Sequence, residues 1–420
     1  MRLLRALASR NYRLFFAGQG ISLIGGFMTR VASAWLVYRL TDSPFLLGLV
    51  SFASTIPTFV LGPLVGPLVD RSNRIGLVIG AKVLSMLVSL ALAVLAFSGA
   101  IEVWHIAVLN LCQGLIDVVE VPARQSLVVD LVERREDLPN AIALNSSLFN
   151  AARLVGPSIG GLVIAAAGEA ACFLADALSY LAIIAALRAV RLPPRPPRAS
   201  IVPFGRQLRE GLVYALGSSP IRAVLLLLSL TSLAGMPYIT LAPVMARDVL
   251  GGGPETLGFL MASIGVGALG GTMFLAARTS VRGFGTIIAA AAAVFGAAAG
   301  VFALSHVFWL SSLALAVAGA GMIVHSAAAN TVLQTLVGDE MRGRVMSLYA
   351  VAVIGMMPFG SLGAGALASQ IGAPATILAG GLLCVGGSAL FARQLPALRA
   401  AVRPAWARPA AGVPAASGRD

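Results

Sequence analysis

The sequence contains few charged residues, cysteines or histidines. Only 11% of its 420 residues are charged, whereas an ordinary soluble domain has about 25%. A water-soluble protein of this composition would have too little polar surface to cover itself. The three cysteines lack CxxC spacing and the three histidines are isolated. Neither a disulfide framework nor a metal site is indicated, and we expect no metal and no cofactor.

Long apolar runs occupy most of the chain. Hydrophobic residues make up 58% of it, with a mean hydropathy of +0.90, and residues 83–100, 286–305 and 345–391 carry no charge. These runs reach or approach the ~20 residues that a helix needs to cross a bilayer. The pattern predicts an all-α integral membrane protein with twelve transmembrane helices. The predicted spans are 14–38, 45–69, 76–98, 103–124, 141–166, 170–190, 219–246, 256–277, 284–304, 308–330, 346–369 and 374–394.

The net charge of +13 comes from basic residues gathered on one side of the predicted membrane. The N-terminal arm, the even-to-odd loops, a central linker and the C-terminal tail carry most of them, and only Arg39 and Arg247 fall on the other side. By the positive-inside rule, both termini should be cytoplasmic. The excess charge therefore indicates topology in a lipid bilayer and no nucleic-acid partner. Because the basic residues are almost all arginine, we expect the inner membrane of a bacterium.

A basic, proline-rich segment divides the spans six and six. Residues 193–197 read PPRPP, which cannot form a spanning helix and makes a stiff linker. The two halves also resemble each other weakly, as in transporters built from two parallel repeats. We predict an N-terminal six-helix bundle at 1–190, a cytoplasmic Pro- and Arg-rich linker at 191–218, a C-terminal six-helix bundle at 219–395 and a disordered cytoplasmic tail at 396–420.

The stretch GPLVDRSNR closes the second span at the predicted cytoplasmic face. It resembles the signature loop of the major facilitator superfamily, G-x-x-x-D-R-x-G-R, through Gly66, Asp70, Arg71 and Arg74. A carboxylate with two guanidiniums in a tight turn can make and break charge-assisted bonds to neighbouring helix ends. The resemblance implies a cytoplasmic gate loop. The corresponding AARTSVRG of the second half lacks the aspartate.

The stretch GPSIGG lies inside the fifth span. It is similar to the GPxxGG core of the helix motif of proton-coupled exporters, with Gly156, Pro157, Gly160 and Gly161 matching and Ala152 departing from the longer pattern. The alternative is a generic kink or a small-residue contact that lets helices pack closely.

With PARQ at 122–125 and RGRVMSLY at 342–349, the chain most resembles the enterobactin-exporter-like, drug:proton antiporter branch of that superfamily. The resemblance implies a monomeric transporter with the twelve-helix fold that exports a hydrophobic small molecule, a drug or a siderophore-like compound, against protons. A proton-coupled uptake symporter of the same fold is the main alternative. A polytopic membrane enzyme is a distant one, because no H-x-x-x-H, G-x-S-x-G or phosphate-cradling motif is present.

Five ionisable side chains lie well within the predicted spans, all of them in the first half, and each costs about 2.5–3.5 kcal/mol at a helix centre unless paired. They are Arg30, Asp117, Glu120, Arg153 and Asp176. Asp117 and Glu120 share a helix face at i and i+3. Since two close carboxylates cannot both ionise cheaply in a low dielectric, we expect this pair, modulated by Arg153 or Arg124, to carry the coupling proton. The alternative is a static ion-pair network.

Arg30 and Asp176 fall in the outer half of spans one and six. We expect them either to contact the substrate or to pair across an outer gate.

Overall fold

The computed structural model describes residues 2–132, 134–190, 204–278, 280 and 283–406, and that part of the chain is helical without a strand. Its α-helices are α1 Arg10–Thr41, α2 Pro44–Arg71, α3 Arg74–Phe97, α4 Val103–Leu131, α5 Leu138–Ala189, α6 Phe204–Gly217, α7 Ser219–Leu230, α8 Ala242–Val244, α9 Pro254–Ala276, α10 Phe284–Leu304, α11 Phe308–Leu336, α12 Asp339–Ala350, α13 Met357–Ile371, α14 Ala373–Ala392 and α15 Leu395–Trp406. Short 3-10 helices occupy Arg2–Ala8, Arg135–Asp137 and Met236–Tyr238, and π-helical turns occupy Thr231–Gly235, Met245–Val249 and Val351–Gly355.

The helices provide twelve membrane crossings. Among the described residues, 11 segments are long and apolar enough to span. The segment Arg135–Ala189 has 55 residues, roughly 80 Å of helix at 1.5 Å per residue, which is enough for two crossings. Gly168 breaks it with φ 80° and ψ 171°, and beyond that break Cys172 Sγ returns to 3.5 Å from the carbonyl oxygen of Gly160. The predicted twelve-helix all-α membrane fold is confirmed.

Twelve crossings bring the start of α1 and the end of α14 to one side of the membrane. We call the side where α1 begins the terminal face, and the side where α1 ends and α2 begins the opposite face. The break at Gly168 and the start of α9 also lie at the opposite face. The first half comprises α1–α5 and the second half α7–α14.

The halves pack against each other through two matched helix pairs, α2 with α13 and α5 with α9. A Cβ added to Gly48 would lie 3.0 Å from the Cα of Gly365, and one added to Gly161 would lie 3.1 Å from the Cα of Gly258. Glycine at all four positions lets the backbones touch, as expected where small residues replace the hydrophobic force absent in lipid. Both glycine crossings lie towards the opposite face.

Two crossings of the second half are broken. The seventh, Ser219–Val249, passes through two π-helical turns and a short 3-10 helix, and the eleventh, Asp339–Ile371, passes through one π-helical turn. Pro237, Pro243 and Pro358 lie at or beside the breaks. Proline removes a backbone donor, and such interruptions are tolerated where neighbouring helices surround the freed groups.

The linker and the tail contain helices that the sequence pattern did not predict. Helix α6 occupies part of the predicted linker, and Arg344 of α12 holds it through an ion pair of 2.8 Å to Glu210. Over 396–406, where the sequence pattern predicts disorder, the described chain is helical in α15, and Leu398 is buried beside Gly285 of α10. Residues 191–203 and 407–420 lie outside the described part of the chain.

Candidate transport cavity and buried charges

A cavity of about 170 Å³ lies between the two halves. Its walls come from α1 and α5 of the first half and from α9 and the broken seventh crossing of the second half. Apolar side chains form most of the lining, among them Phe27, Val31, Ile239, Leu257, Met261 and Ile264. Small-molecule sites are typically apolar with few polar groups that orient the ligand.

Arg30 and Arg153 are the polar members of this lining. Arg30 is exposed and Arg153 half-buried, and the Cζ of Arg30 lies 5.4 Å from the ring centroid of Phe27. Within the described residues, neither guanidinium forms an ion pair. The sequence pattern predicted that Arg153 or Arg124 modulates the Asp117 and Glu120 pair. The structure instead places Arg153 on the cavity wall, without an ion pair to either acid.

The GPSIGG stretch is a junction of three helices. A Cβ on Gly156 would lie 2.6 Å from the Cβ of Phe27, and one on Gly160 would lie 3.1 Å from the α1 backbone. Gly161 faces the other way, because its Cβ would lie 2.6 Å from the first carbonyl oxygen of α9. Pro157 lies between these contacts and lines the cavity. The glycines thus permit close contact with both halves at the cavity wall.

Glu120 lies in a buried cluster with two cations. Its Oε1 is 2.9 Å from the Nζ of Lys82 on α3 and 3.0 Å from the Nε of Arg124 one turn along α4. The ring of Tyr180 packs 5.6 Å from the Lys82 ammonium. Arg124 is therefore the cation that pairs with Glu120, one of the two arginines that the sequence pattern offered for this role. Lys82 was not among the buried charges that the sequence pattern predicted.

Asp117 lies one turn from Glu120 on α4 and has a different environment. Its Oδ1 accepts a hydrogen bond of 2.8 Å from the Nε2 of Gln113, which also donates to Ser85 at 3.0 Å. Within the described part of the chain, Asp117 has no ion pair. The two acids of the predicted carboxylate pair therefore have different partners: Glu120 contacts two cations, and Asp117 contacts an amide.

Asp176 is buried among hydroxyl groups. Ser89 and Thr29 donate to its Oδ2 at 2.7 and 2.9 Å, and Ser179 lies 3.4 Å from its Oδ1. No ion pair joins Asp176 to Arg30 in the described chain, although Arg30 directly follows Thr29. The structure thus brings Arg30 to the cavity and leaves Asp176 inside the first half.

The two halves are connected at the opposite face by side chains that the sequence pattern did not single out as a gate. The hydroxyl of Tyr38 at the end of α1 donates to Asp248 of the seventh crossing. Arg247 NH1 also approaches Asp42 Oδ1 at 2.5 Å. Ala34, one turn below Tyr38, lines the cavity. We call Tyr38, Asp42, Arg247 and Asp248 the latch, since they close the opposite face directly above the cavity.

Only part of the predicted gate loop can be described. The side chains of Gly66, Asp70 and Arg71 lie outside the described part. Arg74 NH1 is 2.8 Å from Asp130 Oδ2 at the end of α4. Asn73 caps α3 by accepting from the Gly76 amide at 3.2 Å. The ends of α3 and α4 are therefore fastened together at the terminal face.

Among the described residues, no group of three His, Cys, Asp or Glu side chains could hold a metal ion. The second half contributes one buried histidine, His325, whose Nε2 lies 3.3 Å from the Thr231 hydroxyl and whose Nδ1 lies 3.3 Å from the Ile288 carbonyl oxygen. Both ring nitrogens therefore lie within hydrogen-bond distance of a group in the bundle.

A cavity at the midline between two six-helix halves defines a membrane transporter. The family model described as transmembrane secretion effector matches residues 3–415, and the chain belongs to that family of major facilitator transporters. Membership in this family rules out the alternative of a membrane enzyme.

Three curated relatives are similar over most of the chain. Macrolide efflux protein A of Streptococcus pyogenes is 25% identical and covers 89% of this chain and 94% of its own length. The staphyloferrin A transporter of Staphylococcus aureus is 24% identical over 83% and 87%. The multidrug efflux pump Tap of Mycolicibacterium fortuitum is 28% identical over 92% and 95%. With the secretion family, these relatives make the chain an efflux transporter of the major facilitator superfamily.

Solved structures show the same fold. An inward-facing bacterial homologue of the iron transporter ferroportin superposes with a TM-score of 0.71 at 17% identity, covering 91% of this chain and 98% of that one. An inward-facing bacterial homologue of the lysosomal transporter Spinster superposes with a TM-score of 0.68 at 13% identity, covering 94% and 96%. At these identities, the likeness concerns the fold alone.

Proposed function

We propose that the protein exports a hydrophobic small molecule, a drug or a siderophore-like compound, across the inner membrane of a bacterium in exchange for protons. The terminal face is cytoplasmic, in line with the placement of the basic residues. The single chain is the functional unit. The proposal rests on the cavity between the halves, closed above by the latch, and on Asp117, an acid of the first half that forms no ion pair among the described residues.

Transport proceeds by rocking of the two six-helix bundles, 1–190 and 219–395, about the cavity. In the conformation described, the glycine crossings and the latch hold the opposite face shut. Opening that face requires Tyr38 and Asp248 to part and the α2–α13 and α5–α9 pairs to separate there. The broken seventh and eleventh crossings supply the pliable segments, as discontinuous helices do in other secondary transporters.

Asp117 carries the coupling proton. Glu120 is held by Lys82 and Arg124, which supply the opposite charge that a buried carboxylate needs. Asp117 accepts a hydrogen bond from the Gln113 amide and forms no ion pair among the described residues, and Arg30 acts on it only through space. Protonation removes the cost of keeping this carboxylate charged within a membrane crossing. The paired Glu120 positions α3 against α4, and it is Asp117 alone that exchanges protons.

The test compares vesicles of the two orientations under an imposed pH gradient. Everted and right-side-out vesicles containing the protein receive labelled erythromycin, ethidium and a ferric siderophore. Export predicts accumulation in everted vesicles with an acidic lumen. Accumulation in right-side-out vesicles driven by external acid would instead favour the uptake symporter.

The proton carrier is tested with Asp117→Asn. This variant is expected to lose gradient-driven accumulation and to keep exchange of labelled for unlabelled compound, because substrate binding and rocking remain. Glu102→Gln, at an exposed acid that caps the same helix, is the matched control and should behave as wild type. Gradient-driven accumulation that survives in a correctly folded Asp117→Asn protein would rule out this carrier.

A further inference from the structure

The cavity wall carries positive charge without a matching negative charge. Arg30 of α1 and Arg153 of α5 both line it, and the remaining lining residues include no Asp or Glu. Both arginines lie within membrane crossings, where an unpaired guanidinium is costly. Two such costly charges at the cavity of a transporter indicate that they contact the ligand when it is bound.

The acids of the first half are already engaged elsewhere. Glu120 pairs with Lys82 and Arg124, and Asp176 accepts from neighbouring hydroxyls. Asp117 is hydrogen-bonded to Gln113, and it interacts with Arg30 only through space, without an ion-pair contact. No acid within the described chain therefore neutralises the two cavity arginines by contact.

The apolar lining determines the rest of the ligand. Phe27 and Val31 beside Arg30, and Leu257 and Met261 across the cavity, offer no hydrogen-bond partners to a sugar or peptide. The cavity volume of about 170 Å³ is below the ~300–1,000 Å³ of sites for drug-sized ligands. In this conformation it has room for only part of a drug-sized molecule.

We propose that the exported substrate is an amphipathic anion whose carboxylate is held by Arg30 and Arg153 in this cavity. This inference rests on the proposed function, whose substrate it narrows to one charge class. The guanidinium fork matches a carboxylate with two parallel hydrogen bonds, and the contact is strengthened where water is excluded. The names of the relatives span macrolides, a siderophore and multiple drugs, so they do not define the charge of this protein's substrate.

The charge class is tested with ligands that share one apolar body. Purified protein in lipid nanodiscs is titrated with 1-naphthylacetate, 1-naphthylacetamide and 1-naphthylmethylamine, and with the corresponding 3-phenylpropyl acid, amide and amine. Binding is measured by calorimetry and by the rise in melting temperature. Each acid is expected to bind at least about tenfold more tightly than its amide, the gain expected from one or two charge-assisted bonds. If neither acid binds more tightly than its amide and its amine, the inference is wrong.

Variants then assign the preference to the two arginines. Arg30→Gln and Arg153→Gln should each weaken binding of the acids about tenfold, leave amide binding within about twofold and preserve the melting temperature without ligand. Arg30→Lys keeps the charge and should retain part of the preference, which guards against a loss caused by misfolding. Arg222→Gln, outside the cavity, is the matched control. Unchanged acid binding in both Gln variants would overturn the assignment.

Transport measurements separate this inference from the proposed function. Gradient-driven export confined to neutral or cationic compounds would refute the anionic substrate and leave proton-coupled efflux intact. Preferential acid binding through the two arginines, without gradient-driven export of any compound, would refute the proton coupling and leave the cavity assignment intact.

Discussion

The two halves share one topology and are held together by different interactions. Every buried Asp, Glu, Lys and Arg in the described chain belongs to the first half, namely Lys82, Glu120, Arg124, Glu169 and Asp176. The second half buries His325 and several hydroxyls instead, and two of its crossings are broken by π-helical turns. The first half thus combines buried charge with unbroken crossings, and the second combines apolar packing with interrupted ones.

This difference assigns separate mechanical roles to the halves. A buried ion pair requires one geometry, because any misalignment leaves a charge uncompensated in a low dielectric. The Lys82–Glu120–Arg124 cluster therefore holds α3 and α4 in one register. The seventh and eleventh crossings contain no buried Asp, Glu, Lys or Arg among the described residues, and Pro237, Pro243 and Pro358 lie at or beside their breaks. We infer that the bending needed for transport occurs in these two crossings.

The largest expected effect is the removal of Lys82. Lys82→Met leaves Glu120 with one cation, in a site where the Lys82 and Glu120 side chains are 9% and 6% exposed. Breaking a buried pair in this way costs up to about 3–5 kcal/mol of the free energy of unfolding. Unfolding in mixed micelles at increasing SDS fraction measures the loss.

The control for Lys82→Met lies in the second half. Arg342 pairs with Asp339 at 2.6 Å on an exposed turn, with 46% and 87% of the side chains exposed. Arg342→Gln should cost less than about 1 kcal/mol. Equal losses of unfolding free energy in the two variants would contradict the claim that the buried ion pair of the first half stabilises the protein more than the exposed pair of the second.

A smaller effect is expected where the halves meet. Gly365→Ala would place its Cβ 2.7 Å from the Pro44 carbonyl oxygen and 2.9 Å from the Cα of Gly48. Such overpacking costs about 1–3 kcal/mol, and it should destabilise the closed opposite face and slow transport. Gly363→Ala on the same helix meets nothing within 4 Å. A slower rate in Gly365→Ala than in Gly363→Ala confirms that the crossing matters, and equal rates contradict it.

The smallest effect concerns the latch. Tyr38→Phe removes the hydrogen bond to Asp248, a loss of about 1 kcal/mol that should raise the open fraction of the opposite face about fivefold. The labelling rate of Ala34→Cys by an impermeant maleimide, in a background without the native cysteines, reports this opening. Tyr12→Phe removes the bond of 2.8 Å from Tyr12 to the Ala141 carbonyl oxygen at the terminal face and should leave labelling unchanged. A similar rate in both variants would mean that Tyr38 does not hold the face closed.

The apolar runs predicted the fold because length and hydropathy are local properties. Asp117, Glu120 and Asp176 were found as charges within such runs for the same reason. Lys82 was overlooked because the uncharged window of its span begins at the next residue.

Contacts between segments far apart in the chain could not be predicted from the sequence. Tyr38 and Asp248 lie in different halves, and nothing local to either marks the other as its partner. The same holds for Arg39 of α1, whose Nε lies 2.7 Å from Glu169 beyond the break in α5. The residues facing the cavity depend on the rotation of each helix about its axis. That rotation is fixed by glycine contacts such as that of Gly156 with α1. The sequence therefore shows that Arg153 is a costly charge within a span, but it does not show that Arg153 faces the cavity.

Lys82 is the single lysine in the sequence. An amine-reactive reagent therefore has two targets in the whole chain, the α-amino terminus and an ammonium group shielded by Glu120 and Tyr180. We expect modification of this second site to speed up when α3 and α4 move apart. The native protein thus contains an internal reporter that peptide mass spectrometry can follow over time, with no engineered label, during turnover.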